Sequence, residues 1–371
     1  MMLNRRRGKV RAVGKTTEQT QELVVEIDGE MTPAVNYRVL CDEVFPGDVV
    51  ELNTTAIDLG LGTGGVHFVI SRIAGYPRAV NVAEPDHKAP GHIMKLRYTP
   101  LQLASLCVEE EESPYHLILK DIDSLEGMPV MVASLHSLIA PTAVAFRHHG
   151  RESFRLSYIM TDGAALPLGF SHLAALLKHQ GLVTQIITIG HAFGGDLEAV
   201  NIYSGLMAAR HVVKADACIV AMGPGVVGTG TSLGTTALEV AAIVDAVNAL
   251  GGRPVAVPRI SFADKRARHY GLSHHTSTAL GRLCHTGCHI PLPQLSGEQD
   301  RLLRRQVEVA GLARHTICWV DQDHTLELLK EYQIQVKSMG KGPEDDPAFF
   351  RAGGAAGWLA AQWVLSPWAG K

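Results

Sequence analysis

From about residue 90 onward, short apolar runs alternate with longer stretches that have helical periodicity. Parallel strands need a crossover between them, usually a helix, so this alternation predicts βαβ units and a parallel sheet buried on both faces. The predicted strands cover residues 129–133, 155–161, 184–189, 217–222, 254–257 and 316–320. We therefore expect an α/β domain with a parallel, doubly wound, Rossmann-like sheet over residues 90–371.

Residues 1–80 follow a different pattern, in which short alternating or β-branched runs are separated by turn residues. The runs cover residues 9–13, 22–27, 37–40, 49–52 and 66–73. Turn signals stand between them, among them Asp28-Gly29 and Pro46-Gly47. The spacing predicts a small N-terminal antiparallel β-barrel domain of the OB or SH3-like kind.

Composition narrows the class of protein. With 46% hydrophobic and 19% charged residues the chain is typical of a folded globular protein, and a formal net charge of -3 argues against nucleic-acid binding through a broad basic surface. No apolar stretch follows Arg5-Arg6-Arg7 as a signal peptide would require. The apolar stretch 349–364 is interrupted by glycines, which favours a docked helix over a membrane span. We expect a cytoplasmic protein with no membrane segment and with six scattered, reduced cysteines.

Capping residues give the expected starts of three helices. Ser171 is predicted to cap a helix that runs to Gln180, and Asp196 to cap the next. Thr231 or Ser232 is predicted to cap a largely apolar helix that ends at Gly251-Gly252.

A glycine-rich loop follows the predicted strand 217–222. Glycines at positions 223, 225 and 228 (Gly223, Gly225 and Gly228) fit G-x-G-x-x-G, and Gly230 and Thr231 come shortly after them. Glycines let backbone N–H groups approach an anion closely, so we expect this loop to bind a small anionic or phosphorylated ligand. The dinucleotide fingerprint is incomplete, since Pro224 lies inside it and Arg259 stands where an acidic residue would bind ribose. The sequence assigns no particular cofactor.

Further polar residues follow other predicted strands. Asp162, His191, Asp196, Arg259 and Asp264 all lie in loops after such strands. Because the carboxyl ends of parallel strands meet at one edge of a sheet, these loops predict one site there. We expect Asp162, His191 and Asp264 to be available for proton transfer, and Asp196 and Arg259 to bind the ligand together with the glycine loop.

Each of these residues also has a structural interpretation. Asp162 before a glycine can shape a turn, Asp196 can act only as a helix cap, and Arg259 can pair with Asp264. The basic run 265–269 is either a solvated loop or a phosphate-binding lid. The cysteines and histidines at 274–275 and 284–289 raise the alternative of zinc, but their spacing is not that of a zinc ribbon, and we expect no metal site.

Four sequence runs resemble a bacterial family of uncharacterised proteins, carried as a domain of unknown function. They are 160–167, 190–196, 222–230 and 259–264, and the resemblance extends over most of the chain. It implies a bacterial cytosolic protein with no assigned reaction and no catalytic residues to carry over.

Three functions remain as alternatives. The leading hypothesis is an enzyme that binds a small phosphorylated or nucleotide-like molecule at the carboxyl edge of the sheet. The second is a non-catalytic protein that senses a metabolite and uses its N-terminal barrel to bind a partner. The third is a homo-oligomeric assembly protein in which the glycine loops permit close subunit packing.

Overall fold

The computed structural model describes residues 3–61, 65–74, 91–321 and 324–366. The chain divides into two compact units, one formed by Met1–Ala89 with Tyr98–Leu101 and the other by Pro90–Arg97 with Gln102–Lys371. The boundary expected between residues 80 and 90 lies outside the described residues. None of the described helices is long and apolar enough to cross a membrane.

The strands, in chain order, are β1 Arg5–Thr16, β2 Thr20–Ile27, β3 Glu30–Tyr37, β4 Val49–Asn53, β5 His67–Ala74, β6 Ile93–Lys95, β7 Leu103–Ser105, β8 Pro129–Ala133, β9 Leu156–Thr161, β10 Gln185–Ile189, β11 Leu197–Ala199, β12 Ala217–Met222, β13 Arg253–Val257, β14 Ile260–Ser261, β15 Gly271–Leu272, β16 His289–Pro293 and β17 Thr316–Val320. The α-helices are α1 Thr55–Asp58, α2 His116–Leu119, α3 Ile139–His149, α4 His172–His179, α5 Ile202–Met207, α6 Glu239–Ala249, α7 His274–Thr276, α8 Gly297–Val309, α9 Thr325–Glu331 and α10 Pro347–Leu365.

The first unit is a closed barrel in which the described strands follow the order β1-β2-β3-β5-β4, with β4 returning to β1. The pairing is antiparallel except for a short parallel contact of β3 with β5. Val10, Val25 and Leu52 fill the interior. This arrangement is that of an OB-type barrel, which confirms the expected N-terminal barrel. The run predicted at 37–40 lies too late in the sequence, because the chain turns at Tyr37, whose carbonyl accepts hydrogen bonds from the next turn.

The second unit is built on a sheet whose eight described strands are all parallel, in the order β11-β10-β9-β12-β8-β13-β16-β17. Connections run both ways from the centre, which confirms the doubly wound α/β fold. Strands β11 and β16 are not predicted by the apolar pattern of the sequence. β16 contains Pro291 and Pro293, which cannot donate ladder hydrogen bonds, and its pairing with β13 is confined to Val255 opposite His289. Edge strand β17 is half-exposed over most of its length.

Helices cover both faces of this sheet. One face packs against α5, α6 and α8, and the other packs against α3, α4, α9 and α10. The contact between α3 and α10 is close because α10 carries small residues. A Cβ on Gly357 would overlap the Thr142 carbonyl oxygen of α3, and one on Gly353 would lie 2.7 Å from Pro141. The apolar stretch 349–364 is therefore a docked helix, as expected.

Of the three predicted helix caps, one is found in the structure and two are replaced by other residues. Ser171 caps α4, and its Oγ accepts a hydrogen bond from the Ala174 N–H at 2.9 Å. Asn201, not Asp196, caps α5 through a capping box with Ser204. Thr235, not Thr231 or Ser232, caps the 3₁₀ turn at residues 236–238 that leads into α6.

Candidate functional site

The chain reverses its direction across the sheet between β9 and β12, which are neighbours. The connection after β9 leads away from β12 to β10, whereas the connection after β12 leads past β8 to β13. Their loops therefore separate above the carboxyl ends of β9 and β12. A crevice at such a switch point is where open α/β sheets bind ligands.

A hydrogen-bonded network fixes the strand ends at this point. The Ser171 hydroxyl donates to Nε2 of His136 at 2.6 Å, and Nδ1–H of His136 donates to the Met222 carbonyl at 3.2 Å. The Tyr158 hydroxyl donates to the Ala221 carbonyl at 3.2 Å. Burial lowers the pKa of His136 to about 4, so the ring is neutral at pH 7. This network joins the ends of β8, β9 and β12 to the start of α4.

Glu239 is a half-buried acid at the carboxyl edge. It stands at the first position of α6, and the Thr161 hydroxyl at the end of β9 donates to its carboxylate at 2.8 Å. Gly163 allows this approach, because a Cβ there would lie 2.7 Å from Oε2 of Glu239. Burial raises the pKa of Glu239 to about 7, the Thr161 hydrogen bond lowers it, and the charge of Asp162 raises it further. Glu239 can therefore take up or release a proton near neutral pH.

Asp162 and His191 are brought together, as the sequence predicts. The Asp162 carboxylate accepts the His191 N–H at 2.9 Å, and Asp162 is exposed to solvent. Nδ1 of the His191 ring accepts the Leu96 N–H at 3.1 Å, and Nε2 of the ring lies 3.1 Å from the Arg97 guanidinium. Asp162 thus contacts the loop after β10 and also acts electrostatically on the Glu239 carboxyl.

Asp196 lies at the opposite edge of the sheet. Its carboxylate accepts the N–H of Ile186, the second residue of β10, and it forms an ion pair with Lys178. The physical reason is topological: β10 and β11 are parallel neighbours, so the chain must return to the amino end of the sheet before β11 begins. A residue that directly precedes a parallel strand is therefore remote from the carboxyl edge.

Arg259 and Asp264 pair with each other. The Arg259 side chain is 5% exposed, and its guanidinium lies 3.3 Å from the Asp264 carboxylate. Arg266 adds a second ion pair to the same carboxylate at 2.7 Å. Hydrogen bonds from Arg266 hold the pKa of Asp264 well below its usual range. Asp264 is thus ionised at any physiological pH. Arg259 forms the ion pair with Asp264 that its structural interpretation predicts.

The glycine-rich loop has two parts. Gly223 passes close to the loop after β9, since a Cβ there would lie 2.5 Å from the Ala165 carbonyl oxygen, and Gly225 has φ of +104°. Residues 228–235 then form an exposed hairpin closed by a bridge between Gly228 and Thr235, in which Thr231 accepts the Gly234 N–H.

This hairpin separates the glycines from α6. A dinucleotide fingerprint needs its last glycine at the N-terminus of the following helix, and here the acidic Glu239 occupies that start. Two glycines of the hairpin instead face the loop after β13. A Cβ on Gly228 would lie 3.7 Å from the His275 ring, and one on Gly230 would lie 3.8 Å from the Arg268 guanidinium.

Three histidines meet beside the hairpin. His269, His274 and His275 each place a ring nitrogen within 4.8 Å of one from each of the others. Burial is the largest cause that lowers their pKa values, to about 3 for His269 and about 4 for His275, and nearby arginines lower them further. The rings are therefore neutral at pH 7, the form in which imidazole binds metals.

Sequence reasoning missed Glu239, His136 and the grouping of His269 with the two later histidines. The sequence does contain a pattern that could have indicated Glu239, an acid at the start of an otherwise apolar helix after a glycine loop. No sequence pattern indicates His136, because its role depends on a hydrogen bond with Ser171 in another loop. His269 is five residues from His274, and only the turn between them brings the rings together.

The site thus belongs to the carboxyl edge of a doubly wound, parallel α/β unit in a chain that also carries an OB-type barrel. The chain belongs to the family DUF3866, described as protein of unknown function, whose model matches residues 33–357. This match confirms the family resemblance drawn from the four sequence runs. No curated protein and no solved structure matches the chain.

Proposed function

We propose that the carboxyl edge of the parallel sheet is the active site of an enzyme that acts on a small phosphorylated or nucleotide-like molecule, with Glu239 as its proton-transfer group. The observation that carries this proposal is the half-buried Glu239 carboxyl, which accepts the Thr161 hydroxyl and whose pKa is raised to about 7. General acid–base catalysis is most efficient when the pKa of the catalytic group is near the working pH. Glu239 replaces Asp264 in this role, because Asp264 is held ionised by arginines.

Two features support an anionic ligand. Arg268 is exposed and forms no ion pair with any described residue, whereas Arg259 and Arg266 are both bound to Asp264. The Arg268 guanidinium also adjoins Gly230, where φ is +85° and the backbone is exposed. A guanidinium beside an exposed glycine backbone is a donor set suited to a phosphate group. We infer that Arg268 and the 228–235 hairpin bind the ligand's anion.

The cysteines support an intracellular location for such an enzyme. All six lie in described parts of the chain and are free thiols, and four of them are buried. Disulfides are rare in the reducing cytoplasm, and free core cysteines are common there. We therefore propose that the protein works in the cytoplasm.

The test is a thermal-shift screen of the full chain against nucleotides and sugar phosphates. A ligand at 100 times its Kd stabilises the folded state by about 2.7 kcal/mol, which a thermal shift detects. We expect at least one member of the panel to raise Tm, and the shift to be lost in Arg268→Ala. The matched control is Arg301→Ala, which removes an exposed arginine from α8.

Turnover of the ligand that binds is then measured in Glu239→Gln. We expect this variant to keep the thermal shift and to lose at least about 100-fold in kcat, since positioned proton transfer contributes that much. A panel without any thermal shift, or a shift that survives Arg268→Ala, overturns the proposal of an anion site. Full turnover in Glu239→Gln overturns the role of Glu239.

A further inference from the structure

We propose that His269, His274 and His275 form a binding site for a divalent transition metal of the zinc type, with a fourth coordination position open to a small oxyanion. The site lies in the loop after β13. The metal ligands are different side chains from the proton-transfer group Glu239, so zinc binding and proton transfer can each fail without the other. The oxyanion position shares Arg268 with the anion site proposed above and rests on that proposal.

The local fold explains why three histidines converge. His269 ends a 3₁₀ turn, Gly271 turns the chain with φ of +77°, and Ser273 caps the short helix α7. Because Ser273 caps α7, His274 and His275 lie on its first turn, where their rings contact the His269 ring. The ring centroids are 4.8 Å apart for His269 with each of the other two, and 4.3 Å apart for His274 with His275.

The distances fit a metal with small side-chain adjustments. One ring nitrogen from each histidine lies within 4.8 Å of the others. A tetrahedral zinc with nitrogen ligands at about 2.1 Å needs nitrogens about 3.4 Å apart. Rotations about the side-chain torsions close that difference, and three histidines with one open position are an established zinc ligand set.

Unsatisfied nitrogen atoms point to a missing ligand. Nε2 of His274 and Nδ1 of His275 are buried and have no hydrogen-bond partner among the described residues. His275 itself is only 6% exposed. A buried polar atom without a partner destabilises the folded chain, so two in one cluster need an explanation. A metal ion that accepts both lone pairs removes this destabilisation.

A hydrogen bond to Ser273 orients the His269 ring. Nδ1 of His269 lies 2.8 Å from the Ser273 hydroxyl, which leaves Nε2 of His269 as its metal-binding atom. Such a hydrogen bond fixes the ring orientation of a metal-binding histidine. Ser273 thus has two roles, because it also caps α7.

The surrounding charges indicate what fills the fourth position. Arg259, Arg266 and Arg268 all act electrostatically on His275. The single carboxylate of Asp264 pairs with the first two, so the three arginines still carry a net positive charge. A dication here would therefore add to a positive environment. An oxyanion bound to the metal and to Arg268 would offset that charge. Gly228 and Gly230 lie beside the His275 ring and the Arg268 guanidinium respectively, so the backbone at this point carries no side chain next to either group. Inorganic phosphate is a suitable probe.

The experiment is equilibrium dialysis of tag-free, full-length protein against Zn²⁺, followed by elemental analysis. We expect one zinc per chain, and at least a tenfold loss of affinity in each of His269→Ala, His274→Ala and His275→Ala. His285→Ala is the matched control, because His285 is an exposed histidine of the same unit outside the cluster. Wild-type protein that retains no zinc, or cluster variants that bind it as tightly as the wild type, overturn the site.

A spectroscopic measurement distinguishes loss of the site from loss of the fold. Co²⁺ in a tetrahedral site absorbs visible light strongly, and we expect this signal in the wild type and in His285→Ala. His274→Gln is the milder variant, since His274 is only half-buried, and it should keep its circular dichroism while it loses the Co²⁺ absorption. A folded His274→Gln with the full absorption contradicts the proposal.

The open fourth position is tested on the same Co²⁺ protein. Inorganic phosphate should change the visible spectrum of the wild type, and the change should weaken at least fivefold in Arg268→Ala. A spectrum that phosphate leaves unchanged overturns the oxyanion position. The zinc stoichiometry is measured separately, so it decides the metal site by itself.

Discussion

The hydroxyl of Thr161 lies 2.8 and 3.0 Å from the two carboxylate oxygens of Glu239. This contact joins the end of β9 to the start of α6, so the acid is positioned by the sheet and not by the exposed glycine hairpin. Thr161 has one hydroxyl proton to share between the two oxygens. The hydrogen bond therefore stabilises the charged carboxylate only in part, and burial remains the larger effect on the Glu239 pKa.

The stability of the protein should depend on pH through Glu239. Its pKa in the folded state is about 7, above the ordinary 4.5, so between these values the folded chain holds a proton that the unfolded chain has released. The free energy of unfolding therefore decreases as pH rises from 4.5 to 7. The decrease is at most about 3 kcal/mol, at 1.36 kcal/mol per pKa unit.

Glu239→Gln removes this contribution, because glutamine cannot ionise. We expect the variant to match the wild type near pH 5 and to be more stable than the wild type at pH 8, as measured by urea unfolding. Glu308→Gln, at an exposed position on α8, should leave the pH dependence unchanged. A wild-type difference between pH 5 and pH 8 that persists in Glu239→Gln argues against the raised pKa.

Ser171→Ala should destabilise the α/β unit by about 2 kcal/mol. The substitution removes a helix cap, which costs about 1 kcal/mol, and leaves Nε2 of His136 without its donor, which costs about 1 kcal/mol more. Ser296 is the matched control, because it caps α8 without any side-chain cap hydrogen bond within the described chain. Chemical denaturation should show a change below about 0.5 kcal/mol for Ser296→Ala. Equal losses in the two variants would contradict the role of Ser171.

Asp264→Asn should cost about 3 kcal/mol, because it leaves the buried Arg259 guanidinium without its counter-ion. The exposed pair of Arg210 with Glu126 offers the comparison. Glu126→Gln should cost less than about 1 kcal/mol, since solvent screens surface pairs. Both values come from guanidinium chloride unfolding monitored by tryptophan fluorescence. A loss for Asp264→Asn no larger than that for Glu126→Gln would show that the buried pair does not stabilise the fold.

Gly357→Ala should lower Tm even though alanine is the better helix former. Propensity alone favours alanine by about 1 kcal/mol inside a helix. The added methyl group would overlap the Thr142 carbonyl oxygen, and such overpacking costs about 1–3 kcal/mol. Because the overlap is with a backbone oxygen, the cost lies at the upper end of that range, and we expect a net loss of about 2 kcal/mol in calorimetry. An increase in Tm would mean that α10 can move away from α3 at little cost.

Periodicity and turn chemistry predict the central part of the fold. The runs over β8, β9, β12 and β13 are recognisable because both faces of these strands are apolar and buried. The failures also have physical causes. β11 has only three residues, and the two prolines of β16 make its sequence typical of a loop. Both strands form because they pair with residues far away in the sequence, and a local sequence pattern does not predict such pairing.

The location of the candidate site is easier to predict than its residues. Asp162 follows β9 at the carboxyl edge, as the strand pattern requires, whereas Asp196 lies at the other edge because the short strand β11 begins directly after it. The exposed hairpin separates Glu239 from the glycine motif, and only the fold brings this acid to Thr161, 78 residues earlier in the chain. Contacts of that kind depend on the folded chain.

The close packing of α10 on α3 has a consequence for the order of folding. The face of the sheet formed by Met131, Tyr158 and Ile219 is buried partly by Phe350 and Ala356 of α10. These residues come from the last helix of the described chain. During synthesis, the part of that sheet face covered by α10 stays exposed to water until the segment through Leu365 has left the ribosome, and transiently exposed apolar surface of this kind favours aggregation.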